Sequence, residues 1–126
     1  MIVMIYRDKN MHNKNIGKIG EDIACQFLII RGYTILERNY MERIGEIDII
    51  AKKNKEIIFV EVKSRKSIKN GGGIDSITSQ KIRHIENVSK IYILKNKLFG
   101  YAIRYDAIDI DFSNTPYIIN HLKSII

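Results

Sequence analysis

One cysteine and one proline in 126 residues are the first informative scarcities. The lone Cys25 cannot close an internal disulfide, and a structural zinc site fails on ligand count, so a reducing compartment is the default expectation. Among Ile23, Ala24, Phe27 and Leu28 it reads as core filling rather than a nucleophile. A single proline rules out Pro-rich linkers. Long apolar runs are missing too. The opening 1–6 segment is far shorter than a spanning helix, and no small-residue cleavage site follows it as a signal peptide requires. Neither a basic amphipathic helix nor a lipidation signal is evident, so the expectation is a cytoplasmic protein without a membrane partner.

What remains is a soluble α/β composition of 45% hydrophobic and 28% charged residues in 14.7 kDa, enough for one core and no second lobe. Lys and Arg number 21 against 14 acidic residues, for a net charge of +7. That excess suits a polyanion, and nucleic acid is the polyanion this size and charge favour.

Residues 16–126 read as a single domain, preceded by a mobile N-terminal arm over 1–15 whose first residues form either an extra strand or a frayed end. Ile16, Ile19, Ile23, Phe27 and Ile30 recur at helical spacing, with Gly32 placed as a left-handed cap, which predicts a helix over 16–31. Strands follow over 33–40, 46–52 and 56–65, the last two joined by a polar turn at 53–55 that makes them an antiparallel hairpin. Residues 67–75, with three consecutive glycines, read as a mobile loop that closes over substrate. Thr78 caps a second helix running to about 94, with Ile82, Ile85, Val88 and Tyr92 as its apolar stripe. A strand over 102–110 completes the order α-β-β-β-α-β: a three-layer sandwich with a mixed central sheet flanked by helices. The apolar tail 117–126 has no clear type.

The chemistry concentrates on the hairpin. Period-two alternation puts Glu46 and Asp48 on one face of the first strand, and Phe59, Glu61, Lys63 and Arg65 on one face of the second, with Ile47, Ile49, Ile58, Val60 and Val62 opposite. Asp48 and Glu61 can hold a hard divalent cation, which takes one or two carboxylates and keeps waters for a substrate phosphate. Lys63 can orient or deprotonate the attacking water and offset charge on the phosphate. A solvated sheet face with cross-strand ion pairs is the bland reading of the same pattern.

The runs Gly17-Lys-Ile-Gly20-Glu21-Asp-Ile-Ala24, Arg38-Asn39, Gly45-Glu-Ile-Asp-Ile-Ile-Ala51, Phe59-Val-Glu-Val-Lys-Ser-Arg65, Lys81 and Arg104-Tyr-Asp106 resemble the YraN-type family of small bacterial proteins. That family is grouped with the restriction-endonuclease-like, or PD-(D/E)XK, nucleases, and is similar to Holliday-junction resolvases. The resemblance implies a magnesium- or manganese-assisted phosphodiester hydrolysis. In it Glu21 matches the helical glutamate, Asp48 the strand aspartate, and Glu61 and Lys63 the Glu-x-Lys pair. Asp48, Glu61, Lys63 and Glu21 are then the catalytic set, with Asp48, Glu61 and Glu21 toward the metal and Glu46 supporting them. Met41 stands where the family often has arginine, and Ile82 where it often has glutamine; neither touches the metal set. His12, His84 and His121 form no metal spacing and read as structural or surface residues. The triple glycine lacks the Lys-Ser or Lys-Thr of a phosphate loop.

The expected function is a metal-dependent nuclease on DNA, with branched or damaged structures favoured because the chain carries no separate sequence-reading module. The alternative is a non-catalytic nucleic-acid-binding accessory in recombination or repair. Symmetric cutting of two strands would favour a homodimer. Arg38, Arg43, Arg65, Lys81 and Arg83 are the expected nucleic-acid contacts. Affinity for duplex or four-way DNA should fall steeply as salt rises, because phosphate contacts release counterions. Binding indifferent to salt, followed by fluorescence anisotropy, would remove nucleic acid from the account.

Overall fold

The computed structural model describes residues 2–4, 16–66 and 77–126. The first helix, α1 (Ile16–Ile30), ends where the sequence places its cap. Gly32 adopts φ 90°, and the Gly32 and Tyr33 N–H groups donate to the Ile29 and Leu28 carbonyls at 3.0 Å each. That pairing satisfies the last helical carbonyls and turns the chain into β2 (Thr34–Glu42). β3 (Gly45–Lys53) and β4 (Glu56–Arg65) form the expected hairpin, with Asn54 taking the left-handed conformation at φ 56° in its turn. The second helix, α2 (Ser79–Asn96), starts at Thr78, whose hydroxyl accepts the Lys81 N–H at 3.1 Å. It leads to β5 (Ala102–Asp111).

Two strands enlarge the expected order. Tyr117–Leu122, the tail of no clear type, is β6 and pairs antiparallel with β5. Ile2–Met4 is β1 and pairs with β6 at the edge. The order α-β-β-β-α-β is therefore corrected to β-α-β-β-β-α-β-β. The reason is that both added strands are short and read ambiguously until a neighbour supplies their hydrogen bonds. Residues 5–15 of the expected arm and the 67–75 loop lie outside the described residues. The sheet runs β1-β6-β5-β4-β3-β2, with β4 and β5 parallel and every other pair antiparallel.

One helix covers each face. Ile19, Ile23, Phe27 and Leu28 of α1 pack on Ile49, Ala51, Ile58, Val60, Ile108 and Ile110, and Cys25 is buried there as filler. Ile85, Val88 and Tyr92 of α2 pack on Ile50, Ile57 and Phe59. Ile30, expected in the α1 stripe, is exposed in the last turn, and Leu28 is buried instead. Ile47 also departs from the expected face, joining the α2 side although Ile49 lies on the α1 side.

The partner strand accounts for this break in alternation. Asn39 is left-handed at φ 50°, so Arg38 reaches Asp22 of α1 while Tyr40 stacks edge-on against Tyr92 of α2. Arg38 pairs with Ile49 and Tyr40 with Ile47, so both strands switch faces together. Asn is among the few side chains that tolerate this conformation. Asp48 lies at the switch, which turns its carboxylate toward one end of the sheet.

α1 approaches β4 through Gly20, where an added Cβ would overlap Ser64 Oγ. Ser64 Oγ is itself buried without a hydrogen-bond partner among the described residues. Gly20→Ala should therefore cost about 1–3 kcal/mol by overpacking. In a Ser64→Ala background most of that cost should vanish, and urea unfolding of the four chains measures the coupling. Additive costs would show that the contact does not limit helix approach.

Candidate functional site

The β3–β4 ladder runs from Lys53–Glu56 up to Ile49–Val60. One residue further, Asp48 Oδ2 accepts the Val62 N–H at 2.8 Å, so a side chain takes the acceptor position at the end of the ladder. Asp48 and Glu61 face each other there, 9% and 5% exposed. They line a cavity of about 230 Å³ completed by Gly45, Glu46, Lys81, His84 and Ile85. Lys81 Nζ forms an ion pair with Glu61 Oε1, and Lys63 Nζ lies 3.8 Å from the same oxygen.

Burial and like charge govern the protons in this space. Burial pushes the Asp48 carboxyl up to about 7, the Glu61 charge adds to it, and the Val62 N–H opposes. When protonated, Asp48 also hydrogen-bonds Glu61, which holds the proton more firmly. Lys63 is lowered, by burial first and then by the bond to and charge of Lys81. Burial works against the Lys81 charge as well, but its bonds to Glu61 and Lys63 outweigh that and raise it.

Glu21 lies in an adjoining cleft lined by Gly17, Lys18, Arg38 and Asn39. Asn39 donates a hydrogen bond to it, while burial raises its proton affinity overall. Its charge contributes to the rise at Asp48. Among the described residues, however, no three His, Cys, Asp or Glu side chains gather as a metal cluster. The structure thus brings Asp48, Glu61 and Lys63 together and sets Glu21 beside them, tied to Asn39.

The expected phosphate contacts divide. Arg43 and Arg83 are exposed. Arg38 is held by Asp22 at 2.6 Å. Arg65 is forked onto Asp109 at 3.1 and 3.3 Å and lies 3.4 Å from Asp111, because the parallel β4–β5 ladder sets it opposite Asp111. Lys81, expected to contact a phosphate, turns inward to Glu61. His84, read as structural or surface, is exposed and also lines the cavity. The spacing Lys81, Ile85, Val88, Tyr92 was the available signal, because it sets Lys81 one turn before Ile85 on the stripe that Ile85, Val88 and Tyr92 bury. His121, expected to be structural, bonds the fully buried Asp106 at 2.8 Å, beside the Arg104 fork on the same carboxylate.

These features define a mixed α/β domain with a buried carboxylate pair and two lysines at one end of its sheet. The profile described as Uncharacterised protein family UPF0102 matches residues 20–110, from α1 to β5. A UPF0102 protein of Clostridioides difficile (strain 630) is 49% identical over 100 residues, covering 79% of this chain and 88% of the relative. One from Dictyoglomus turgidum is 42% identical over 110 residues, covering 87% and 93%. One from Fusobacterium nucleatum is 47% identical over 96 residues, covering 76% and 81%. The chain belongs to the UPF0102 family, the YraN-type set that its motifs resemble.

The raised Asp48 proton affinity has a signed consequence for stability. Its contribution is fully present below the unfolded carboxylate range near 3.8 and is lost as pH rises through about 7. Asp48→Asn removes that loss. The melting temperature of the variant, relative to wild type, should be higher by about 3 °C or more at pH 8 than at pH 5. A difference that does not change with pH would contradict the buried, repelled carboxylate.

Proposed function

We propose that this protein is a metal-dependent nuclease that hydrolyses phosphodiester bonds of DNA on a restriction-endonuclease-like scaffold. The observation that carries the reading is the buried Asp48–Glu61 pair with two lysines against it, at an open end of the sheet. Evolutionary kinship alone would not supply it. Burying two like charges is costly unless something compensates them. Fold stability has no use for such a pair in a cavity.

The donor set fits magnesium or manganese. Both side chains offer hard oxygen ligands, they are close enough to share a proton, and two carboxylates with remaining sites open to water and phosphate are what magnesium prefers. Asp48 and Glu61 would hold the ion, and Glu21 would add negative field from the adjoining cleft. When bound, the ion supplies Lewis-acid stabilisation of the phosphoryl oxygens. Lys63 holds its proton less firmly than a free lysine, which suits it to take a proton from the attacking water beside Glu61. Arg43 and Arg83, both exposed, hold the strand by its phosphates. With contacts of this kind the readout is shape, so branched or damaged DNA is the favoured substrate class. The Lys81–Glu61 ion pair favours a second reading, a non-catalytic nucleic-acid-binding accessory of recombination or repair, because it stabilises the pocket without an ion.

Linear, flapped and four-way DNA incubated with magnesium or manganese separates the two. Asp48→Asn and Glu61→Gln should abolish hydrolysis and the ion-induced rise in melting temperature while leaving DNA binding largely intact. Lys63→Ala should keep that rise and lose turnover by about 100-fold or more. DNA binding without hydrolysis by the wild type on every substrate would leave the accessory reading.

A further inference from the structure

We infer that Lys81 is the resident counter-ion of the carboxylate pair, exchanged for the divalent ion as it enters, so that ion loading releases Lys81 to a phosphate of the nucleic acid. This rests on the metal-dependent reading above and adds the regulation of the same site. Glu61 is almost wholly buried, and its Oε1 is contacted by Lys81 and approached by Lys63. The two lysines differ in how they reach it. Lys63 is built into the same strand two residues on, and its position follows from the β4 backbone. Lys81 comes from another element, the first turn of α2, and its side chain is 37% exposed against 5% for Glu61. Its ammonium therefore reaches inward from the cavity rim on a four-carbon stem.

The backbone beneath that stem is fixed. Thr78 accepts the Lys81 N–H at its hydroxyl and the Ile82 N–H at its carbonyl, so withdrawal of the ammonium needs side-chain rotation alone. Electrostatics supplies the direction. The pair Asp48 and Glu61 carries at most two negative charges, and a divalent ion between them cancels both. An ammonium left against Glu61 would then face a dication at close range with no anion of its own, a repulsion strong in a poorly solvated pocket. Outward of Lys81, exposed His84 lines the same cavity, and a DNA phosphate at its mouth is the anion the displaced ammonium lacks. Empty of metal, the site is closed by its own lysine; loaded, it presents that lysine to substrate.

The test titrates manganese chloride alone into wild type, Lys81→Met and Lys81→Gln by calorimetry at constant ionic strength. Both variants should bind manganese about tenfold tighter than wild type, because no ammonium competes. Lys81→Gln keeps a hydrogen-bond donor for Glu61, so it decides the matter if the melting curve of Lys81→Met reveals a damaged fold. Fluorescence anisotropy with a labelled four-way junction forms the second arm. Manganese should tighten junction binding by wild type by about fivefold or more and by neither variant. Equal or weaker manganese affinity in Lys81→Gln overturns the exchange, as does an absence of binding in every form, and an equal manganese effect on junction binding in all three chains overturns the release to phosphate. Tighter manganese binding by the variants, with no DNA cleavage by wild type, upholds the exchange and sinks the nuclease reading. Cleavage by wild type with unchanged manganese affinity in Lys81→Gln sinks the exchange alone.

Discussion

Repulsion between two buried carboxylates, Asp48 and Glu61, is the interaction around which this end of the molecule is organised. Three devices relieve it without removing it. The Val62 N–H bonds Asp48, Lys81 pairs with Glu61, and Lys63 stands by at 3.8 Å. Two of them come from β4 and one from α2, so the geometry of the pair depends on the β3–β4 ladder ending where it does and on α2 beginning where Thr78 caps it. The pair is thus held in a strained charge state by a well-packed frame, the condition under which a proton, an ammonium or a divalent ion can each be the compensating charge.

The frame itself follows from ordinary packing. α1 and α2 bury one face each, and Phe59 at the centre is flanked by the rings of Tyr105 and Tyr92. The left-handed Asn39 is where this regular packing gives way. By switching β2 and β3 between faces it ties Arg38 to α1, holds Glu21 with its side chain and leaves Asp48 at the switch. One backbone conformation therefore links the two adjoining cavities. It also gives the Arg38-Asn39 motif a physical meaning that a list of matching residues lacks.

Features carried by short-range spacing were legible in the sequence. The Gly32 cap, the Thr78 cap, the β3–β4 hairpin and the shared face of Phe59, Glu61 and Lys63 all follow from neighbours within a few residues. Features set by distant pairing were not. Arg65 looked free for a phosphate because Asp109 and Asp111 reach it only across the parallel ladder closed by α2, 44 residues away in the closer pair. Strict alternation put Ile47 beside Ile49, and it failed because the reversal originates in Asn39 on the neighbouring strand. The inward turn of Lys81 was missed for a similar reason: its partner Glu61 belongs to another element, and the helix pattern was read as one stripe beginning at Ile82.

The central claim, that Asp48 and Glu61 together form a divalent-ion site, is most directly tested by anomalous scattering from crystals grown at pH 8 and soaked in manganese chloride. The account predicts one manganese peak in the cavity, within coordination distance of a carboxylate oxygen of each residue, and its loss in Glu61→Gln crystals. A cavity without a manganese peak, or one bound by only one of the two carboxylates, would contradict it.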